Sequence, residues 1–139
     1  MLIVMKKFKK GTSMRLLLLF LFSGLVQADI QICLDKYNGA IVERNNAVGA
    51  FKIAKSQKES ADGKIEKWER KKYIQGAKES AIHAIDLIAK SQALLDQVKA
   101  ECIQAFAEKA TELSTKNLSD LSDYEAFRKD MDLTLQLPK

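Results

Sequence analysis

The chain has 139 residues, of which 23 are Lys or Arg and 18 are Asp or Glu, with one His, two Cys, one Pro and six Gly. Its length indicates one domain, and a hydrophobic content of 47% with a single proline excludes a disordered or collagen-like chain. The few cysteines and the lone histidine exclude a disulfide-dense miniprotein and match no zinc-site spacing, so we expect no metal and no cofactor.

The first 28 residues have the pattern of a secretory signal peptide. A basic start precedes an apolar run, LLLLFLFSGLV, and Val26-Gln27-Ala28 has the form of a cleavage site. The run has 11 residues, whereas a membrane span needs about 20, so an uncleaved anchor is the weaker alternative. We expect cleavage after Ala28, a helical domain over residues 29–139 and a periplasmic or secreted location. Met1 and Met5 are both candidate start sites.

The positive net charge of +5 belongs to this leader. Its 28 residues carry five basic side chains and no acidic one, which leaves 18 of each sign in the remainder. A nucleic-acid-binding domain needs a basic patch on a basic domain. The sequence therefore predicts no nucleic-acid partner.

The two cysteines, Cys33 and Cys102, predict a disulfide. An exported chain enters an oxidising compartment, where a single pair of cysteines normally becomes bonded. A redox pair is the alternative, but the C-x-x-C motif is missing.

The first predicted helix of the mature domain, helix A, runs from about Ile30 to Lys58. Its large apolar residues follow a helical repeat, and beside them small residues recur every seven positions, which would let a neighbouring helix approach closely. The large residues are Ile30, Leu34, Tyr37, Ile41, Val48 and Phe51, with Arg44 as the polar member, and the small residues are Cys33, Ala40, Ala47 and Ala54.

The second long helix, helix B, carries an unbroken three-four repeat and is predicted to end near Ser114. A plain hairpin with a turn at Asp62-Gly63 would leave the cysteines about 15 Å out of register, too far for a bond. We therefore predict a separate short tip helix over Lys64–Ile74, with Gly76 as the break behind it; the fallback is a plain hairpin with free thiols. The repeat consists of Ile74, Ala77, Ala81, Ala84, Ile88, Ser91, Leu95, Val98, Cys102 and Ala105.

A third helix, helix C, is predicted to begin at Ser122 and to fade near Leu137. Ser122-Asp123-Tyr124-Glu125 has the capping-box form. Helix C would fold back on helix B as far as about Lys99, with Tyr124, Phe127 and Met131 facing it. The expected fold class is all-α, an antiparallel helical hairpin or small bundle.

The sequence does not point to catalysis. The single histidine, His83, has Glu79 four residues before it, as in a solvated helix pair, and no glycine-rich phosphate loop is present. Carboxylate side chains are numerous, but they lie on helix surfaces with cations nearby, which is typical of a solvated surface and not of acid–base catalysis. We therefore expect a protein that is not an enzyme.

Two predicted surfaces are left for a partner. From Lys52 to Lys78 the chain carries nine basic and four acidic residues, and this basic tip also holds aromatic side chains. Ile82 and Ile85 would lie beyond the reach of helix C, where they would be exposed, contact the tip helix through Ile65 or Trp68, or form an interface. A basic stretch with aromatics can dock on an anionic surface, although it can also be a solvated cap. The candidate partner-binding residues are Lys67, Trp68, Arg70, Lys71, Lys72, Tyr73, Ile82 and Ile85.

These features predict an exported helical protein that binds another macromolecule. Its size, compartment and helical character suit a small periplasmic inhibitor or immunity-type protein, which would use the tip and the Ile82–Ile85 surface. The alternative is a structural or chaperone-like envelope or secretion-accessory protein that self-associates through helix B as a homo-oligomer.

Overall fold

The computed structural model describes residues 14–64 and 66–137, with side chains from residue 29 onward. Three long helices make up this part of the chain: α1 (Met14–Asp62), α2 (Lys67–Glu101) and α3 (Gln104–Gln136). The protein is all-α, as predicted, and the described residues contain no strand. The basic start of the predicted leader lies outside the described residues, whereas the backbone of residues 14–28 belongs to α1. None of the described helices is both long and apolar enough to cross a membrane.

The α1–α2 interface is built from small residues. Ala40, Ala47 and Ala54 of α1 are fully buried, and all three belong to the seven-residue repeat of the sequence. Because an alanine side chain ends at Cβ, the two helix backbones approach closely; a Cβ on Gly39 would lie 3.3 Å from Leu94. The larger residues of helix A, such as Ile41, are only half-buried. The small residues, rather than the large ones, therefore form this part of the core.

Helix α2 lies at the centre of the bundle. Its buried residues form the predicted repeat from Ile74 to Val98, joined by Leu87. Both α1 and α3 pack extensively against it, while α1 and α3 meet each other at few positions. Each neighbour runs antiparallel to α2, since Met131 near the end of α3 packs with Ile74 near the start of α2.

A layer of buried polar groups joins the three helices at mid-height. Ser91 Oγ of α2 donates to the carbonyl of Ala40 in α1 (2.7 Å), and Asn117 Nδ2 of α3 donates to Ser91 Oγ (2.9 Å). Arg44 of α1 donates to Asn117 Oδ1 (2.9 Å) and pairs with Asp120 at 2.7 Å. Because a buried polar group without a partner is costly, this layer favours one register of the three helices over shifted ones.

The prediction of a separate tip helix is wrong. Helix α2 is continuous from Lys67, and the connection from α1 is the short stretch 63–66. Gly76 does not break the helix. It lies where α1 comes close, so that a Cβ at this position would stand 2.9 Å from Gln57 Nε2. The glycine therefore marks close packing between helices.

The predicted end of helix B and the predicted start of helix C are also wrong, whereas the last helix ends at Gln136, as predicted for helix C. Helix α2 ends at Glu101, and α3 begins at Gln104 after the extended residues Cys102 and Ile103. Ser122 lies in the middle of α3 and is exposed, while Glu125 pairs with Arg128 at 3.0 Å. The capping-box pattern is therefore part of a helix interior, and the end of α3 lies at the tip instead of stopping near Lys99.

The predicted disulfide between Cys33 and Cys102 is present, with a Cα–Cα distance of 6.0 Å. It attaches the corner between α2 and α3 to α1. The register problem is solved without a tip helix, because Ala61 near the end of α1 packs beside Ile74. The first two turns of α2 consequently extend about 10 Å beyond the end of α1.

Candidate functional site

A groove of about 490 Å³ lies at the tip of the bundle, where the end of α1, the start of α2 and the end of α3 meet. Its apolar lining comes from all three helices, and three basic side chains of α2 contribute to one side. We call it the tip groove. The lining residues are Ala61, Asp62, Lys67, Arg70, Lys71, Ile74, Thr134, Leu135 and Leu137.

The basic residues of the tip groove have no partner among the described side chains. Lys67, Arg70 and Lys71 are exposed and make no ion pair or side-chain hydrogen bond there. Asp62 is the one carboxylate of the lining. These cations also occupy the first turns of α2, where the helix dipole is positive and favours anions. The first turn also carries Glu69, and the effect of the dipole falls off within that turn, so it acts on Lys67 more than on Lys71.

Other cations of the tip are neutralised by α3. Lys78 Nζ lies 2.6 Å from Asp132, and Lys58 Nζ lies 3.8 Å from Asp130. The hydrogen bond from Lys78, with the nearby charges of Lys78 and Arg128, holds the pKa of Asp132 below its ordinary value. Two basic residues of the tip are thus paired with α3, whereas those at the first two turns of α2 are not paired among the described side chains.

Tyr73 is half-buried at the tip. It packs against the core cluster around Ile74 and Met131, and Lys64 Nζ lies 5.3 Å from its ring centroid. Ile85 likewise packs against the cluster that contains Tyr124. These two predicted site residues therefore contribute to packing.

Trp68, Lys72 and Ile82 lie on one solvent-exposed face of α2. Trp68 is 63% exposed and Ile82 39% exposed, and the spacing between the two is 14 residues, or about 21 Å along the helix. Gln75 and Glu79 lie between them on the same face and are hydrogen-bonded to each other at 3.3 Å. We call these five residues the outer face of α2. At 100° per residue, Trp68 points away from the tip groove.

Sequence reasoning missed most of the apolar half of the tip groove. The predicted helix A ends near Lys58 and so excludes Ala61 and Asp62. The predicted helix C would reach only about Lys99, far from the tip. The contribution of Thr134, Leu135 and Leu137 follows from the helix break after Glu101. That break carries no glycine or proline that could have signalled it.

The described side chains include no group of three or more His, Cys, Asp or Glu residues placed to hold a metal ion. His83 is exposed on α2.

Comparison of the chain with protein-family models, with curated proteins and with solved structures finds no match. The tip groove and the outer face of α2 are the two surfaces on which a proposal about function rests.

Proposed function

We propose that the protein is an exported, non-enzymatic helical protein that acts by binding another protein, in the manner of a small periplasmic inhibitor or immunity-type protein. The contact surface is the outer face of α2, with Trp68 as its anchor. A rigid helical scaffold favours such a role, because side chains held on a helix lose little conformational freedom on binding.

The observation that carries this proposal is the exposure of Trp68 beside an unpaired cationic cluster. Tryptophan is the residue type most enriched among binding hot spots, and it normally lies in a core when a protein has no other use for it. Here the aromatic contacts of the core are made by Phe51, Tyr124 and Phe127, and the side chain of Trp68 is 63% exposed. The exposed ring supports its use as a contact for a partner.

The nearby cations provide long-range attraction. Lys67, Arg70, Lys71 and Lys72 lie within six residues and have no ion pair among the described side chains. Such a cluster speeds encounter with an acidic surface, and its effect fades as salt screens the charges. The expected partner surface is therefore acidic with an apolar pocket for the indole ring.

Export is part of the proposal and rests on the leader pattern together with helix lengths. If the chain is cleaved after Ala28, α1 keeps residues 29–62, which are 34 residues. Helix α2 has 35 residues and α3 has 33. The mature chain would thus form three helices of nearly equal length, stapled by a disulfide that suits an oxidising compartment.

Site-specific photo-crosslinking tests the binding face. A photoreactive amino acid replaces Trp68 in one variant and Leu118 of α3 in a matched control, because Leu118 is 56% exposed but remote from the tip. The expected result, in cells that make the protein, is one discrete adduct from position 68 that position 118 does not give. Equal adducts from the two positions would contradict the assignment of this face.

The purified partner then permits a quantitative test. Trp68→Ala should speed dissociation by roughly thirtyfold, the equivalent of a 2 kcal/mol hot spot. Ile82→Ser should have a smaller effect in the same direction, because this side chain is less exposed. Lys72→Glu should slow association, mainly at low salt. Unchanged rate constants in all three variants would rule out the outer face.

The alternative, a self-associating envelope protein, was expected to use helix B. Most apolar residues of that segment are buried between α1 and α3 of the same chain. Light scattering of the purified protein separates the two proposals, since the inhibitor-type role predicts a monomer at micromolar concentration.

A further inference from the structure

We propose that the tip groove is a binding site for a single-chain anionic amphiphile, a molecule with one apolar chain and one carboxylate, such as a fatty acid. This site is distinct from the outer face of α2 and does not depend on the proposed function. The chain would lie against Ala61, Ile74 and Leu135, and the carboxylate would meet Lys67, Arg70 and Lys71.

The shape of the groove favours a small molecule. Its volume of about 490 Å³ lies within the range of 300–1,000 Å³ that is typical of small-molecule sites. Its apolar lining is formed by three different helices, so it is a concave site at a junction. A flat membrane surface or a long helix would not fill such a space.

The charges select the head group. Three cations face one carboxylate, Asp62, in the lining, which leaves a net charge of +2 for an anion to neutralise. A carboxylate can accept two hydrogen bonds from an arginine side chain, and Arg70 is the arginine of the lining. A neutral or cationic amphiphile would gain only the apolar contacts.

The directions of the basic side chains bear on the choice between this site and membrane docking. Membrane-surface proteins place tryptophan and basic residues on the same face, so that both enter the lipid interface together. Around α2, Lys72 and Lys71 lie about 40° and 60° from Trp68, whereas Lys67 and Arg70 lie about 100° and 160° away from it. Two of the three groove cations therefore point away from the indole ring, and vesicle sedimentation tests whether the remaining basic residues dock on a membrane with it.

Calorimetric titration with sodium dodecanoate, below its micelle concentration, tests the site on the protein as exported. We expect one saturable site per chain, with dodecyltrimethylammonium and butanoate binding at least tenfold more weakly, because one lacks the charge and the other the chain. Equal binding of dodecanoate and dodecyltrimethylammonium would overturn the proposal, since the cations would then play no part.

Two variants locate the ligand. The triple change Lys67→Gln, Arg70→Gln and Lys71→Gln should weaken dodecanoate binding roughly tenfold or more, whereas the matched change of three other exposed lysines to Gln should leave it unchanged. Thr134→Trp should block the groove, whereas Thr115→Trp should not. Thr134 and Thr115 are a matched pair, because each is exposed on α3 and donates to the backbone carbonyl four residues earlier. The three control lysines are Lys90, Lys109 and Lys116.

Three results would overturn the proposal. Dodecanoate binding that survives Thr134→Trp would exclude the groove even if the triple variant failed to fold. Sedimentation with phosphatidylglycerol vesicles, in the absence of binding to monomeric dodecanoate, would replace the proposal with a membrane-docking tip. Binding of an acidic, leucine-containing peptide in place of dodecanoate would assign the groove to a protein segment.

Discussion

At the scale of single residues, the bundle depends on how small its interface side chains are. Ala47 of α1 is fully buried in the cluster that also holds Ala84 and Ile88 of α2. A buried alanine between two close helices leaves no room for a longer side chain, because protein interiors are packed as tightly as organic crystals. The alanines, which contribute little apolar area themselves, therefore determine the distance between the helices.

Ala47→Leu should accordingly destabilise the protein by about 1–3 kcal/mol, the usual cost of overpacking. The matched control is Asn46→Leu, which places the same side chain at the neighbouring exposed position and should change the free energy of unfolding by less than about 0.5 kcal/mol. Urea denaturation followed by circular dichroism measures both. A stable Ala47→Leu variant would mean that α1 and α2 are farther apart than the structure has them.

At the scale of helices, the sequence predicted the interior repeats and the end of the last helix, but not the corner between α2 and α3. The repeat from Ile74 to Val98 is the buried face of α2, because burial on one helix face enforces helical spacing in the sequence. The corner at Cys102 and Ile103 contains no glycine, proline or side-chain cap. Its position depends on how α3 packs against α2 and α1, which no local pattern records. The sequence did not predict the tip groove for the same reason, because the end of α3 reaches the tip only when α3 starts at this corner.

The disulfide holds that corner to α1. Cys33 and Cys102 are separated by 69 residues, and closing a loop of this length stabilises a protein by about 4 kcal/mol in the chain-entropy model. Replacing both cysteines by Ser should lower the free energy of unfolding by up to this amount, and reduction of the parent should have the same effect. A loss below about 1 kcal/mol in both experiments would contradict a stabilising role for the bond.

Helix α3 is also attached to α2 by an ion pair whose strength depends on pH. Asp132 is hydrogen-bonded to Lys78 at 2.6 Å and to Arg128 at 3.0 Å, and these contacts keep its pKa below the ordinary value of 3.8. A carboxyl whose pKa is lowered by folding contributes stability above the unfolded pKa, and this contribution is lost as pH falls through the folded pKa.

Asp132→Asn should therefore be less stable than the parent at pH 7, and the difference should close as the pH falls below 3.8. The matched control is Asp123→Asn, because Asp123 is exposed on the same helix and has no ion pair among the described side chains. Thermal unfolding from pH 2 to pH 8 gives both profiles. A gap that is independent of pH would mean that Asp132 acts through packing and not through its charge.

At the scale of the whole molecule, the two ends of the bundle differ in structure. One end is stapled by the disulfide, and the other carries the tip groove, Trp68 and the unpaired cations. Helix α2 connects the two ends and is held along its length by α1 and α3. The disulfide at one end and the polar layer at mid-height therefore join the three helices at two levels below the tip.

The position of the disulfide relative to Ala28 predicts that the protein does not need its leader to fold. Cys33 is the first buried residue of α1 among the described side chains, and it lies five positions after Ala28. Cleavage after Ala28 would remove the apolar run and leave the stapled end at the new N-terminus, with the tip unaffected. The mature species should therefore fold and bind without the leader.

Intact-mass measurement of protein recovered from the exporting compartment tests this prediction. We expect a chain that begins at Asp29 and lacks two hydrogens because of the disulfide. Ala28→Phe should block processing, since signal peptidases require a small residue before the cleaved bond. A secreted species that still contains Met1 or Met5 in the parent would show that the leader stays attached. The continuous helix from Met14 would then be a feature of the working protein, and α1 would extend well beyond the stapled end of the bundle.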